Sequence, residues 1–305
     1  MSKYIASRLA QTAIAILLVS VAAFALVRLR GDPATLMAPP WWTAEQVNEL
    51  RRAWGFDRPM HIQYIDFLSK AVRGDFGESF RFRRPTMEMV LEKLPWTYLL
   101  AGTSAFVALL IAVPLGILSA VNRNSFIDLL STALATVGAA MPNFWIGIML
   151  ILFFAVSLRV LPAFGAESWK SLLLPSITLG TGIAARLARL TRSAMLEVLC
   201  QDFVRTARAK GLAERVVIYR HALRNALIPV VTAFGLQLGW LLGGAVVVEQ
   251  VFAWPGLGRL MIEAIGVRDV LLIQAGVFWF ALSFLLINLG IDLLYTVLDP
   301  RIRYG

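Results

Sequence analysis

Charge is scarce in this chain, and so are the residues that carry most enzyme chemistry. Only 16% of the 305 residues are charged and 58% are hydrophobic, where an ordinary soluble domain holds about 45–50% apolar residues. With a mean hydropathy of +0.71, the sequence does not describe a soluble domain. Its single cysteine, Cys200, excludes an intrachain disulfide framework. The two histidines, His61 and His221, fall on opposite membrane faces in the topology derived below, so they form neither a dyad nor a shared metal site. No Gly-x4-Gly-Lys-Ser/Thr phosphate loop occurs, so the chain is expected not to bind ATP, to need no cofactor or metal, and not to be an enzyme. No repeat of 20–50 residues and no low-complexity segment interrupts it.

What the chain has instead is long apolar runs. About 20 residues at 1.5 Å rise cross a bilayer core, and six runs qualify: 9–27, 97–121, 129–157, 172–192, 226–248 and 272–297. Lipid leaves backbone polar groups unsatisfied, so runs of this length must be helices. The expected fold is all-α and polytopic, with six transmembrane helices. Lys3 and Arg8 before the first run, with Ala23-Phe24-Ala25 near its end, resemble a signal peptide. The 19-residue run is longer than the usual ~7–15 residues of such a segment, and Arg28-Leu29-Arg30 closes it as an anchor would. The first helix is read as retained.

Charge orients these helices. With the N-terminus inside, Lys and Arg divide 14 inside to 15 outside, which gives no direction. Eleven of the outside charges, however, lie in segment 28–96, whose 69 residues exceed the ~60-residue limit beyond which loops translocate regardless of charge. Without that segment the division is 14 to 4, and both termini are expected in the cytoplasm. The net charge of +10 is then a product of topology, not a sign of nucleic-acid binding.

The reading divides the chain into an N-terminal transmembrane helix over 1–27, an extracytoplasmic segment over 28–96, and a five-helix core over 97–305 with a cytoplasmic loop at 193–225. Segment 28–96 mixes Trp41, Trp42, Trp54 and Phe56 with 11 basic and 9 acidic residues, a composition that can fold. Within it, 85–94 is amphipathic and opens with Pro85, which predicts a short helix along the outer surface; packing and partner contact are both open to it. The later outside segment carries Glu249, Phe252, Trp254, Pro255 and Gly256, read as a tight loop before a short helix at about 257–266.

The densest pattern lies at 186–225, with nine basic residues and three acids, Glu197, Asp202 and Glu214. Lipid headgroups account for such a charge, but not for the order of residues. Helix formers Thr206 to Lys210 end at Gly211, a helix-terminating glycine. A second short helix is expected from Glu214 to about Asn225, before Pro229 at the membrane entry. Two short helices hinged by a glycine suit a rigid projection that carries force to a partner.

This run resembles the coupling (EAA) loop of bacterial ABC importer permeases, and specifically of the dipeptide, oligopeptide and nickel permease family. Ala207 and Gly211 match the small residue and the glycine of the general pattern. Arg205 stands where that pattern has glutamate, and Phe203 where the family has tyrosine. Further landmarks that resemble the family are Gly74-Asp75-Phe76-Gly77-Glu78-Ser79, Leu94-Pro95, Met141-Pro142-Asn143-Phe144-Trp145, Leu161-Pro162-Ala163-Phe164-Gly165, Gly243 to Glu249, Phe252 to Gly256 and Asp299-Pro300-Arg301-Ile302-Arg303. After Arg268-Asp269 the family's aromatic-proline pair is replaced by Val270-Leu271.

The resemblance implies the first permease of a type I ABC importer in the bacterial inner membrane. It implies a homologous second permease, two cytoplasmic ATPase subunits and an extracytoplasmic substrate-binding protein as partners. Cargo would be di- or oligopeptides, with glutathione and nickel chelates as alternatives within the family. The ATPase-coupling residues would be Asp202, Arg205, Ala207, Lys210, Gly211, His221, Arg224 and Asn225. Outer-loop contacts would be Glu249, Phe252, Trp254, Pro255 and Gly256.

Three features remain open to two readings each. Pro142 frees a backbone carbonyl inside an apolar run, so Met141, Pro142, Phe144 and Trp145 are either a pathway wall or ordinary membrane-helix packing. Gly235, Gly239 and Gly243, at four-residue spacing, allow close helix approach, with a second permease as one candidate neighbour. Arg186, Arg189 and Arg192 either snorkel to the interface or, for Arg186, sit at the inner mouth of a pathway and meet a substrate carboxylate. Asp292, in the last run, is expected to pair with a neighbouring base; a proton relay would instead suggest an ion-coupled secondary transporter, which the absence of repeat-related broken helices disfavours.

Overall fold

The structure, a computed structural model, describes residues 2–29 and 31–298, with side chains over 5–29 and 31–293. Arg30 and the closing Asp299-Pro300-Arg301-Ile302-Arg303 motif lie outside the described residues. Helices supply the regular structure of the described residues, with no strand beyond an isolated bridge between Glu78 and Pro85. Among the described residues five helices are long and apolar enough to cross a membrane, and up to six when the bent pair Phe126–Ala140 and Asn143–Ser157 is counted as one span. Two compact units emerge, one of residues 1–97 with 255 onward, the other of residues 98–254.

In the first unit α1 (Ser2–Leu29) packs along the last helix, Val270–Leu298, and the acid of that helix, Asp292, is paired with Arg8 at 3.3 Å. Asp32 then caps α2 (Pro33–Met37), with Pro33 in the first turn. Thr43 and Gln46 form a reciprocal capping box on α3 (Ala44–Ala53), and α4 (Met60–Val72) follows. Arg51 Nη2 donates to Asp32 at 2.7 Å, tying α3 to the α2 cap. Burial pushes the Asp32 carboxyl up, but hydrogen bonds from Arg51 and Thr35 outweigh it and hold it below the usual carboxylate range. This clasp is therefore in force at neutral pH and is lost only as pH falls through the depressed value.

Segment 28–96 does fold. Val27, Ala34, Met37, Leu50, Phe80 and Val270 form a buried cluster, with Trp42, Trp54 and Phe56 packed against it. A second cluster joins Phe76, Met89, Val90 and Leu94 to Leu257, Met261, Leu272 and Phe278. One buried carboxylate organises the turn before the second span. Asp269, 0% exposed, accepts from Ser79 Oγ at 2.5 Å and from the Arg81 N–H at 3.1 Å.

The stretch 85–94 is not a separate surface helix. It is the first part of α5 (Thr86–Val121), a continuous 36-residue helix, in which Met89, Val90 and Leu94 are buried. Their burial against the first unit's core fixes the same axis that the apolar run continues, so nothing breaks the helix between them.

The second unit contains the rest of α5, α6 (Phe126–Ala140), α7 (Asn143–Leu150) with a π-helical continuation over Ile151–Ser157, α8 (Leu173–Leu199), α9 (Asp202–Ala209), α10 (Glu214–Val216) and α11 (Leu223–Val251). Helix α8 is its centre, packing against α6, α7 and α11. Two glycines let α5 reach it: a Cβ on Gly180 would lie 2.7 Å from the Ser104 carbonyl oxygen, and one on Gly116 would lie 2.5 Å from Thr191 Cβ.

Two expected elements differ here. Run 129–157 is not one straight helix; it ends at Ala140 and restarts at Asn143 with a bend of 110°, because Met141 is extended and Pro142 begins the new helix. The helix from Glu214 does not stop near Asn225 either. It passes through a π-helical turn, Val217–Ala222, directly into α11, which holds Pro229 within it. The short helix after the Pro-Gly turn is present in the first unit as α12 (Leu257–Gly266), ahead of α13 (Val270–Leu298).

Candidate functional site

Segment 193–225, the candidate coupling segment, has an apolar base and a charged head. Val204 and Ala207, one turn apart on α9, are buried with Ile117 and Ala120 of α5, Ala194, Met195 and Val198 of α8, and Val217, Ile218, Ala222 and Ala226. The opposite face exposes Asp202, Arg205 and Arg208, with Asp202 and Arg205 paired at 3.6 Å. The helix ends at Lys210, and Gly211 takes φ +73° while its N–H donates to the Arg208 carbonyl at 2.9 Å. Across that turn Arg208 reaches Glu214 with two bonds, 2.6 and 3.1 Å. Lys210, Arg224 and Asn225 are exposed and His221 is half-buried; Asn225 donates to the His221 carbonyl at 2.9 Å. A patch fixed to three long helices through its core can pass displacement to them, because packed interiors transmit strain.

Of the candidate pathway residues, Met141, Pro142, Phe144 and Trp145 lie at the break in the bent span, and Arg186 lies on α8. Met141 is half-buried, while Pro142, Phe144, Trp145 and Arg186 are exposed. Arg186 Nε donates to Gln237 Oε1 of α11 at 2.7 Å. Arg192 is paired within the chain: its Nε and Nη2 bond the two oxygens of Asp128 at 2.7 and 2.8 Å. Asp128 and Gln237 escaped the sequence reading. Asp128 sits beside the Ser125 cap and reads as an ordinary first-turn acid, and its partner is 64 residues away. Gln237 was legible as the one amide amid an apolar run.

Two sets of residues stand elsewhere than expected. Gly235 and Gly239 are buried within the chain, on a helix packed against α8. Gly243 is exposed, with no atom within 4 Å of a Cβ placed there. Of the expected outer-loop contacts, Glu249, Phe252, Trp254 and Gly256 are buried and Pro255 is half-buried. Phe252 fills the space over Gly147, where a Cβ would lie 3.0 Å from its ring, and its carbonyl accepts from the Gly165 N–H at 3.0 Å. Glu249, Phe252, Trp254 and Gly256 are thus enclosed within the chain, and Pro255 keeps part of its surface open. Among the described residues, no cluster of three or more His, Cys, Asp or Glu could hold a metal ion.

Comparison with known proteins decides the family. Residues 112–304 match the family described as binding-protein-dependent transport system inner membrane component, and residues 1–101 match its N-terminal component. The chain belongs to this family. It is 45% identical, over 100% of both chains, to the glutathione transport system permease protein GsiC of Salmonella typhimurium. The same identity and coverage hold for GsiC of Escherichia coli K12. Among solved structures, an inward-facing MetNI methionine ABC transporter matches with a TM-score of 0.58 at 22% identity, covering 70% of this chain and 97% of that chain. An amino acid ABC transporter matches with a TM-score of 0.51 at 15% identity, over 70% and 94% of the two chains. At those identities the structural likeness speaks for the fold alone. This permease is thus a multi-pass inner-membrane subunit of an ABC importer, with the all-α architecture of that class.

Proposed function

We propose that this permease forms half of the translocation pathway of an ATP-driven importer for glutathione or a chemically similar short peptide. Full-length identity of 45% to two glutathione permeases supports that cargo over a nickel chelate. In this reading the complex comprises a homologous second permease, two cytoplasmic ATPase subunits and an extracytoplasmic substrate-binding protein, and ATP is hydrolysed only on the ATPases. Both termini are cytoplasmic, segment 28–96 faces outward, and 97–305 is the permease core.

The observation that carries the reading is the build of segment 193–225. Its charged face (Asp202, Arg205, Lys210) and Gly211 turn are exposed, yet Val204 and Ala207 anchor it in a core shared with α5, α8 and α11. Such a patch is suited to receive an ATPase and move the helices behind it. Affinity purification of the tagged permease co-expressed with its candidate ATPases is the test. Recovery of both ATPases, together with no nucleotide binding by the isolated permease, is the expected result; stoichiometric nucleotide binding by the isolated chain contradicts it.

A further inference from the structure

Of the three arginines that recur along the inner half of α8, Arg186 alone is both bonded to a neighbouring span and left without a carboxylate. Arg192 is neutralised by Asp128, and Arg8 in the other unit by Asp292. No ion pair engages Arg186 among the described residues; its one side-chain bond is Nε to Gln237 Oε1. That bond uses the edge of the guanidinium and leaves the terminal nitrogens, a planar fork suited to a carboxylate. Gln237 lies in the middle of α11, 14 residues after Leu223 and 14 before Val251, so the pair sits deep in a membrane-spanning helix. A charged residue at such depth faces a bundle interior or a water-filled path, and Arg186 is exposed in this chain.

The same face continues past Arg186. Gly182, four residues back on α8, stacks on the same helical face. A Cβ there would lie 3.6 Å from Asn143 Oδ1, and one on Gly244 of α11 would lie 3.6 Å from Asn143 Nδ2. Asn143 thus projects from the break after Pro142 to lie between Gly182 of α8 and Gly244 of α11. A guanidinium and two amides, from α8, α11 and α7, therefore lie along one face of α8, and among the described residues no acid is paired with Arg186.

We infer that Arg186 and Gln237, with Asn143 above them, form a carboxylate-binding site in the translocation pathway, through which an anionic peptide passes. The site rests on the proposed importer function and adds to it the chemical group that the permease recognises. Arg186 binds the carboxylate, and Gln237 positions the guanidinium.

The test uses the whole complex in proteoliposomes, with its binding protein and ATP, importing glutathione and glutathione amidated at its glycine carboxylate. The preference for the free acid is measured for the wild type and for Arg186→Gln. The binding protein's own selectivity is common to both, so the change in preference reports the permease. Loss of a charged hydrogen-bonded contact is expected to cut the preference about tenfold or more, with Arg186→Lys retaining part of it and Gln237→Leu losing part. An unchanged preference in Arg186→Gln overturns the site while leaving the importer reading intact. A wild type that imports neither form overturns the cargo assignment and the site with it. Repeating the comparison in vesicles with and without anionic lipid covers the other source of an anion: a defect confined to anionic vesicles assigns Arg186 to headgroups and overturns the site.

Discussion

Arg192 meets Asp128 as a fork, Nε 2.7 Å from one carboxylate oxygen and Nη2 2.8 Å from the other. The same carboxylate accepts from Ser119 Oγ and, at 3.0 Å, from the Asn124 N–H. The pair ties α8 to the turn between α5 and α6, next to the core on which the coupling segment rests.

Removing Arg192 strands a carboxylate whose side chain is 8% exposed, though the Arg192 side chain is itself 27% exposed. Arg192→Ala is therefore expected to cost about 1.5–3 kcal/mol, the scale of a charged hydrogen bond, and less than the ~3–5 kcal/mol of a wholly buried pair. Arg192→Lys should fall between, since an ammonium cannot make both bonds in plane. Thermal unfolding of the purified complex reads the order. Equal melting temperatures for all three would contradict a structural role.

Glycine positions separate internal contacts from external ones. Gly180→Ala drives a Cβ to 2.7 Å from the Ser104 carbonyl oxygen, and a backbone atom yields little, so about 1–3 kcal/mol of overpacking is expected. Gly243→Ala meets nothing within 4 Å in the chain. Thermal unfolding of the isolated permease should show a loss for Gly180→Ala and none for Gly243→Ala, while a loss of second-permease recovery specific to Gly243→Leu would place a partner at that face.

These contrasts show where the sequence was readable. Gly211 announced the end of α9 because helix formers stop at a residue suited to positive φ, and φ is +73° there. The helix at Leu257–Gly266 was equally legible from the Pro-Gly turn before it. Proline was not a sufficient signal: Pro142 starts a new helix after a 110° bend, whereas Pro229 lies inside an unbroken α11. The difference lies in what packs around each residue, which no local pattern encodes. Glycine spacing on α11 was visible, but which neighbour it served was not, because internal and external helix contacts use the same small residues. Trp254 and Phe252 looked like loop-tip contacts for a similar reason, since large aromatics suit both cores and interfaces.

Topology can be checked with the one native thiol. Cys200 is exposed within segment 193–225, so a membrane-impermeant maleimide should label it only when the cytoplasmic face is open. In a Cys200→Ser background, Ser69→Cys should label from outside and Ala213→Cys only from inside; both positions are exposed. The reverse pattern would contradict the inward N-terminus.

At Gly211 nothing lies within 4 Å of a Cβ, so the penalty of a side chain is backbone strain alone, about 1–2 kcal/mol. That is too little to unfold the permease and enough to tilt α9 against Glu214. Gly211→Val should leave membrane insertion near normal and lower substrate-stimulated ATPase activity, with Arg205→Ala having a smaller effect because Arg205 is exposed and, among the described residues, is paired only with Asp202 at 3.6 Å. Full stimulated activity in Gly211→Val would show that the turn is not part of the coupler.

Uptake by the reconstituted complex tests the central claim most directly. Proteoliposomes holding both permeases and both ATPases are given glutathione-loaded binding protein on one face and ATP at the ATPase face. Accumulation of glutathione against its gradient, abolished when a non-hydrolysable nucleotide replaces ATP and undiminished when ion gradients are collapsed, is the predicted result. Uptake that persists without hydrolysis, or that follows an imposed ion gradient, would contradict an ATP-driven importer.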